Sequence, residues 1–576
     1  MLPDSDDISK VTSPQQFNGP LPKDFDGLGV DKDTRAPLTP IGVSRASSSA
    51  GHGQGSDATG SVDAQPGAAS SLGNGVAEED VSRSRLTNVH LRPTQINQTL
   101  RRIFFETYLE HAYIWSPILD QDLMRAHPEF ADSMLLNHSL ALVGTNLKPP
   151  LLQYTSSAQH YQMARHSFYN CNETNPLVAI SSIMLFHYWD LSNVDSANGV
   201  DTDWWWLGNA IRLAQAEGLQ REGRPGPFQS LKKRIWWALY ARERMTAICL
   251  GRPCVIDPAY CNVPMPTLND FPSDCRFKAS IFIQYVKLSD VLGDISKLLA
   301  QGAAYFPATI SARKRLVEWV RNIPSDMQLS TTGGVMKDFN REVLLLHIPY
   351  LGALTMVYLS FSSDSPPKAC VPGIVAAAVL ARICEEFLAR GSIRFIPEET
   401  ARFISFAILT LAHARQVECL TAHADTDIWI LLATLRQMAP MWSSARVFAK
   451  IYEKIQPDLG LSTRPPLAPP PTSQHQCEQA RGDGTDEPHE CTLPHCLEEL
   501  ASLDGVNWME YFPYGNCNTT PMLGAIIAAQ GDILNLSGLD LPHVVNNQSM
   551  HEIFANFDEF GNLFHAEKGD TDAALH

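Results

Sequence analysis

The sequence predicts an all-α protein, a body of many helices flanked by two disordered acidic arms. Apolar residues recur at three- and four-residue spacing over most of the middle of the chain, which is the period of an α-helix. Strand-like alternation of apolar and polar residues is rare there. Charge is concentrated at the ends, since residues 1–80 carry a net −7 and residues 497–576 a net −11, whereas residues 81–496 carry +1.

The first arm, residues 1–88, is rich in Ser, Gly, Asp, Ala and Pro. Its few apolar side chains cannot offset the conformational entropy lost on ordering, so we expect this arm to be disordered. The N-terminus lacks the basic and apolar regions of a secretory signal. None of the 12 cysteines stands in a Cys-x-x-Cys pair, a usage typical of a reduced intracellular protein.

The helical body is predicted over residues 89–456. Its first clear helix begins near Thr99, where the helical spacing of apolar residues sets in. In the later segment WWWLGNAIRLAQ, Asp203 is expected to cap the helix and Gly218 to end it.

A later apolar run, residues 343–361, reaches the length of a membrane span. His347 and Pro349 interrupt it, and it lacks flanking aromatic anchors and a basic cluster. We therefore predict a buried core helix, bent or started near Pro349, and no membrane association.

The stretch LKKRIWWALYARERMTAICLGRP, residues 231–253, combines aromatic, basic and acidic side chains at unusual density. Such a stretch fits a catalytic wall, a nucleic-acid platform or the ionic seam of a helical core. The helix is predicted to end near Gly251, and an extended segment ending in Val-Pro-Met-Pro follows. The residues that define this pattern are Trp236, Trp237, Glu243, Arg244, Gly251, Arg252 and Pro253.

This order of features resembles the middle homology domain of the fungal zinc-cluster transcription factors, and an upstream block at residues 204–223 looks like the same domain. The resemblance covers residues 95–456. It implies a multi-helix regulatory domain in which the seven residues are a structural signature. Arg242, Glu243 and Arg244 are then expected to form a buried ionic seam that ties helices together, and no catalytic residue is predicted.

Members of that family usually carry an N-terminal zinc cluster of six cysteines that binds DNA. In this sequence no cysteine precedes Cys171, so no cofactor is expected in the chain itself. Two explanations stay open. The zinc module lay upstream of Met1, or the chain works without touching DNA, as a co-regulator paired with a DNA-binding partner.

Residues 457–496 are predicted to be a proline-rich linker, because five prolines between Pro465 and Pro471 favour extended chain. The linker contains cysteines and histidines, but their spacing is looser than a structural zinc site requires, so no metal site is predicted. These residues are His475, Cys477, His489, Cys491, His495 and Cys496.

The acidic tail, residues 497–576, ends in a segment where bulky apolar residues recur at helical spacing between acids. Such a segment folds on entering a hydrophobic groove, so the tail is a candidate activation domain that contacts a coactivator or the transcription machinery. The alternative is a last helix that docks on the body. The candidate activation anchors are Ile553, Phe554, Phe557, Phe560, Leu563 and Phe564.

The resemblance implies a nuclear transcription regulator that controls a metabolic or biosynthetic gene set, as a homo- or heterodimer or alone. Because the chain is acidic, DNA is expected to be reached only indirectly or through the missing module. The remote alternative is an all-α metal-dependent enzyme, such as an isoprenoid synthase with metal-binding aspartates. Asp290 and Asp294 are only a lone acidic pair, so we predict that the protein is not an enzyme.

Overall fold

The computed structural model distinguishes two compact units, residues 1–88 and 89–576, and all of the residues that it describes belong to the second. The predicted N-terminal arm therefore lies outside the described residues, as do most of the linker and of the acidic tail. The described ranges are 96–152, 155–190, 201–223, 226–300, 306–329, 331–332, 335–336, 339–360, 368–455, 508–514 and 520–528.

Within these ranges the structure is helical, which confirms the predicted all-α class. The helices are α1 (Gln98–Thr107), α2 (Gln121–Ala126), α3 (Pro128–Ala131), α4 (Met134–Leu147), α5 (Ser157–Tyr169), α6 (Pro176–Met184), α7 (Asp203–Ala216), α8 (Gln229–Leu250), α9 (Arg276–Ala300), α10 (Phe306–Arg321), α11 (Arg341–Val357), α12 (Val371–Ala389), α13 (Thr400–Ala414), α14 (Glu418–Met438), α15 (Ser443–Ile455) and α16 (Pro521–Ala528).

Short irregular turns connect these helices. A π-helical turn, Tyr108–Ala112, continues α1 directly. The described residues also contain four strands of two residues each. β1 (Thr331–Thr332) is antiparallel to β2 (Val335–Met336), and β3 (Leu359–Ser360) is antiparallel to β4 (Lys368–Ala369). The turns of 3-10 helix are Phe186–Tyr188, Pro258–Tyr260, Leu268–Asp270, Ser273–Cys275, Ser325–Met327, Ile393–Phe395 and Trp508–Tyr511.

The capping prediction for α7 was wrong by one residue. Thr202, not Asp203, accepts the hydrogen bond from the backbone N–H of Trp205. Asp203 is the first helical residue instead, where its carboxylate favours the positive end of the helix dipole. Gly218 has a positive φ of 72° just after the helix, as expected for a residue that ends it.

The helices pack as two neighbouring groups around one continuous hydrophobic core. In the first group α4 contacts α1, α5 and α6, and α7 packs on α6. Helices α8 and α9 lie side by side, and α9 also contacts α10 and α11. In the second group α11 to α14 pack on one another, and α15 covers α13 and α14.

Helix α11 is the predicted buried helix, and every residue from Val343 to Val357 is buried. It begins at Arg341, and Pro349 lies inside it without ending it. No helix in the described part of the chain is both long and apolar enough to cross a membrane.

Two described stretches of the predicted acidic tail pack on the helical body. Tyr511 is buried, and its carbonyl accepts a 2.9 Å hydrogen bond from the hydroxyl of Tyr350. The hydroxyl of Tyr358 donates to that of Tyr511 at 3.0 Å. Helix α16 buries Met522 and Ile526 and contacts α12 and α14. These apolar side chains place residues 508–514 and 520–528 with the body, although they lie beyond the predicted linker.

Candidate functional site

Helix α8 carries the aromatic pair of the signature. Trp236 is fully buried, and Trp237 packs at the edge of the core. The indole N–H of Trp237 donates a 2.9 Å hydrogen bond to the carbonyl of Pro264. The pair therefore anchors α8 in the core on one side and fastens the extended segment that follows the helix on the other.

Glu243 and Arg244 form a buried ion pair that holds the same segment, with exposed fractions of 4% and 1%. One carboxylate oxygen of Glu243 accepts hydrogen bonds from the backbone N–H groups of Val255 and Ile256. The other accepts one from Arg244. Arg244 also donates to the Ile256 carbonyl at 2.8 Å and lies 4.0 Å from the centroid of the Tyr240 ring. Burial, the largest single influence, disfavours the charged guanidinium, but Glu243 together with Tyr240 and Cys254 raises the pKa of Arg244 overall.

The remaining signature residues turn the chain out of α8. As predicted, the helix ends at Leu250, and Gly251 has a positive φ of 63° that glycine adopts without strain. Arg252 lies over the ring of Trp204, 5.1 Å from its centroid. Pro253 is exposed, and its ring prevents a further helical turn.

We call Trp237, Glu243 and Arg244 the α8 clamp. Its donors and acceptors bond to the backbone of the segment that follows α8, and the Arg244 side chain crosses α9 closely. A Cβ atom on Gly293 of α9 would lie 2.5 Å from Cγ of Arg244, so only glycine leaves room there. These contacts order a loop and fix the distance between two helices. We therefore interpret the role of the α8 clamp as structural.

Arg242 does not take part in the clamp, so the predicted ionic seam is divided in two. Residues two apart on a helix point in different directions, and Arg242 faces away from Arg244. Its guanidinium bonds to Asp203 at 2.9 Å and to Glu399. Burial, the largest single influence, disfavours its charge, but Asp203 together with Tyr285 and Glu398 raises the pKa of Arg242 overall. Arg242 thereby joins α7, α8 and the start of α13 at the wall of a cavity.

This cavity has a volume of about 80 Å³. It lies between the π-helical turn, α4, α8, α9, α11 and the loop that leads into α13. Its wall is mainly apolar with a few convergent polar groups, which is typical of a small-molecule site. The aromatic residues of the wall are Trp115, Tyr188, Tyr285, Phe395, Phe403 and Trp442.

His111 belongs to the π-helical turn and lines the cavity. Its side chain is 4% exposed, and neither ring nitrogen makes a hydrogen bond to the described residues. The Nε2 atom lies 3.4 Å from a carboxylate oxygen of Glu110, and the ring stacks on Phe395 with centroids 4.3 Å apart. Burial, with a smaller contribution from Arg341, lowers the pKa of His111 to about 4, so its imidazole is neutral at pH 7.

The charged residues of the wall are matched by opposite charges, except Glu398, which is protonated. Arg341 pairs with Glu342 at 2.6 Å and lies 4.9 Å from the centroid of the Phe395 ring. Burial and the neighbouring carboxylates of Asp190 and Asp203 raise the pKa of Glu398 to about 8, so this carboxyl group is protonated at neutral pH.

Sequence reasoning did not identify this cavity. The one local signal for His111 is that a histidine occupies the apolar face of its helix. Most residues on such a face are structural residues of the hydrophobic core, so this signal alone does not indicate a site. Pro349 also lines the cavity, but in the sequence it is only an interruption of an apolar run. Phe395 and Glu398 come from a loop far along the chain, and no spacing rule connects them to α1.

The other residues considered from sequence do not form a site in the described structure. The six candidate activation anchors and the cysteines and histidines of the linker lie outside the described residues. Asp290 and Asp294 of α9 both form ion pairs with Arg315 of α10. Asp290 also accepts a hydrogen bond from the hydroxyl of Tyr240. The acidic pair therefore serves contacts between helices.

Comparison with known proteins identifies a domain within this fold. Residues 103–328 match the model of the fungal specific transcription factor domain. The matched residues include α8 with its clamp, the π-helical turn and the α9 wall of the cavity. No solved structure matches the chain.

Curated relatives are similar at low identity. They include the cutinase transcription factor 1 alpha of Fusarium vanettenii, 23% identical over 57% of this chain and 39% of the relative. The acetamidase regulatory protein of Emericella nidulans is 23% identical over 67% of this chain and 52% of the relative. The transcription factor cpaR of Aspergillus oryzae is 24% identical over 60% of this chain and 64% of the relative. The chain thus spans about half the length of the curated relatives that it matches.

Proposed function

We propose that this chain, which carries a fungal-specific transcription factor domain over residues 103–328, is a transcription regulator. The domain match is the observation that carries the proposal. The relatives support it, because they are named as transcription factors or regulatory proteins and not as enzymes. A nuclear location follows from such a role.

We place its targets in a metabolic or biosynthetic gene set. Two of the relatives are named after enzymes, a cutinase and an acetamidase, which supports control of metabolic genes. In this proposal the helical body has a regulatory role and does not catalyse a reaction on a substrate. The α8 clamp supports this view, because its charged groups form hydrogen bonds and ion pairs that order the fold.

The proposal assigns recruitment of a coactivator to the acidic tail, residues 497–576. Its net charge of −11 and the regular spacing of its bulky apolar residues support an activation segment. Because residues 508–514 and 520–528 pack on the body, we assign activation to the six anchors between Ile553 and Phe564. The anchors alternate with acids, which keep an unbound segment soluble.

A second candidate function is that of a co-regulator that reaches DNA through a paired DNA-binding protein. The charge of the chain favours it, because the formal net charge of −17 leaves no basic footprint for phosphate contacts. The helical domain would then supply the pairing surface. Chromatin immunoprecipitation of the tagged chain, with and without a candidate partner, separates the two functions.

The activation proposal is tested by fusing residues 497–576 to a foreign DNA-binding domain and measuring a reporter gene. We expect several-fold higher output than from the DNA-binding domain alone. Replacing Phe554, Phe557 and Phe560 with Ala removes the apolar anchors and should return the output to the background. Replacing Asn556 and Asn562 with Ala in the same segment is the matched control and should leave the output high. An inert wild-type fusion would refute the activation role.

A further inference from the structure

Three local irregularities of the backbone meet at the cavity. The π-helical turn Tyr108–Ala112 supplies His111, and such turns are frequent at functional sites. Pro349 lacks the N–H that would bond the carbonyl of Leu345, and both residues line the cavity. The 3-10 turn Ile393–Phe395 forms a further wall. Each of the three irregular segments therefore contributes residues to the cavity wall.

The cavity contains a hydrogen-bonding group without a protein partner. His111 is more than nine-tenths buried, its ring faces the cavity, and both of its nitrogens lack hydrogen bonds to the described residues. A buried polar group left unsatisfied costs about 1–3 kcal/mol. A molecule in the cavity that bonds to His111 removes this cost. A neutral imidazole offers it one N–H donor and one nitrogen acceptor.

The charges on the wall determine which molecules fit. Arg242 is held by Asp203 and Glu399, and Arg341 by Glu342, so both positive charges are already matched by carboxylates. Nε of Arg242 is a buried donor that makes no hydrogen bond to the described residues, and a neutral acceptor can take it, whereas an anion would lie beside the carboxylates of the pair. The carboxylates of those pairs are likewise engaged, and Glu398, the other carboxyl group of the wall, is protonated at neutral pH, so a cation gains no ionised unpaired partner. Burying a charged ligand here would carry its desolvation cost without compensation.

Volume and lining fit one small ring. One water molecule needs roughly 10–15 Å³, so a cavity of about 80 Å³ takes about five to eight waters or one small ring. The stacked rings of His111 and Phe395 form one wall, and Trp115, Tyr285 and Phe403 contribute others. Aromatic walls favour an aromatic guest through offset and edge-to-face contacts.

We propose that this cavity binds one small, uncharged aromatic molecule whose hydroxyl or ring N–H group hydrogen-bonds to His111. A phenol represents the class. That such a molecule acts as an effector of gene regulation rests on the proposed function. The binding of the molecule does not rest on it, because binding is measured on the purified protein without DNA or a reporter.

The test is isothermal titration of the purified full chain at pH 7 with three probes of closely similar size. These are para-cresol, which is neutral, benzoate, which is an anion, and benzylamine, which is a cation. We expect saturable one-to-one binding of para-cresol and at least about tenfold weaker binding of either charged probe, a difference of about 1.4 kcal/mol. No saturable binding of para-cresol would overturn the proposal and indicate a hydrated cavity only. Equal or tighter binding of a charged probe would overturn the assigned class.

Two variants connect the binding to this cavity. His111→Phe keeps a ring to stack on Phe395 but removes the hydrogen bond, so the affinity for para-cresol should fall about fivefold or more. Ile348→Phe adds bulk to a wall residue and should abolish binding. His138→Phe, another buried neutral histidine away from the cavity, is the matched control and should retain wild-type affinity. Circular dichroism verifies that each variant is folded. Wild-type affinity in folded His111→Phe and Ile348→Phe would overturn the proposal, whatever the reporter assays show.

Discussion

At the scale of single residues, Glu243 and Arg244 decide whether the segment after α8 is ordered. Two charges removed from water are tolerated only when each hydrogen-bonding position has a partner. Here the carboxylate of Glu243 accepts hydrogen bonds from two backbone N–H groups, and the guanidinium of Arg244 donates one to a backbone carbonyl. The pair thus supplies the hydrogen bonds that water would otherwise make to the loop and to the two charged groups. Losing one partner leaves the other charge buried and alone.

We predict that Glu243→Gln destabilises the protein by about 3–5 kcal/mol, the range expected when one partner of a buried pair is removed. Urea denaturation followed by far-UV circular dichroism measures the change in the free energy of unfolding. The control is Glu106→Gln, which breaks the exposed pair with Arg102 and should cost less than about 1 kcal/mol. A loss in Glu243→Gln no larger than in the control would contradict the buried clamp.

Some residues of the site were predictable and others were not. The end of α8 at Gly251 follows from local chemistry, because only glycine adopts a positive φ without strain. The partners of the Arg242 side chain were not predictable, because an arginine on a partly buried helix face can reach carboxylates of helices on either side of it. His111 was missed for a related reason, since the contact that makes it unusual is with Phe395, almost 300 positions away in the chain.

At the scale of elements, helix positions follow from periodicity and capping, whereas irregular turns depend on tertiary packing. The π-helical turn extends α1 with unchanged apolar spacing, so nothing local distinguishes it from α-helix. Pro349 was expected to bend or start a helix. It lies inside α11, which begins at Arg341, so the helix does not start at Pro349, and the bend stays a prediction. The contact of α16 with the body was not predicted, because the sequence around α16 has the acidic composition of a separate tail.

The docking of α16 leads to a prediction. Met522 is 1% exposed in the contact with α12 and α14, so Met522→Asp would bury an unpaired carboxylate and should release the helix. Hydrogen–deuterium exchange should then accelerate in residues 520–528 while α8 keeps its protection.

Pro521→Asp is the matched control for this substitution. It introduces the same charge at the half-buried first residue of α16, where a carboxylate favours the helix dipole. Exchange in α16 should stay close to that of the wild type. Equal exchange in the two variants would mean that α16 does not depend on the buried contact.

At the scale of the whole molecule, cavity and docked tail share one helix. Leu345, Ile348 and Pro349 of α11 line the cavity, and the next residue, Tyr350, bonds to the carbonyl of Tyr511. A ligand that contacts Pro349 would therefore touch the helix that holds the tail segment. Coupling between the two contacts requires in addition that this helix has two arrangements and that both contacts favour one of them. The sequence alone predicted a body and a tail, but only tertiary contacts bring them onto one helix.

The molecule as a whole also buries histidines in neutral form, which makes its stability depend on pH. Burial lowers the pKa of His111, His138, His160 and His347 to about 4, from an ordinary value of 6.5. As pH falls below 6.5 the unfolded chain takes up protons on these side chains, whereas the folded chain does not until the pH nears 4. Their contribution to stability is therefore complete above pH 6.5 and is lost as the pH falls toward 4, at up to about 1.4 kcal/mol per pH unit for each histidine.

His138 of α4 and His160 of α5 give the sharpest test of this dependence, because their Nδ1 atoms lie 2.9 Å apart and two protonated rings would repel each other. We predict that His138→Phe combined with His160→Phe makes the loss of stability between pH 6.5 and 4 shallower, whatever its effect at pH 7. The slope of unfolding free energy against pH, from urea denaturation at half-unit steps, is the measurement. His166→Asn, an exposed change on the same α5, should leave the slope as in the wild type. An unchanged slope in the double variant would show that the pair takes up protons in the folded state, so that this contact would not be a source of acid sensitivity.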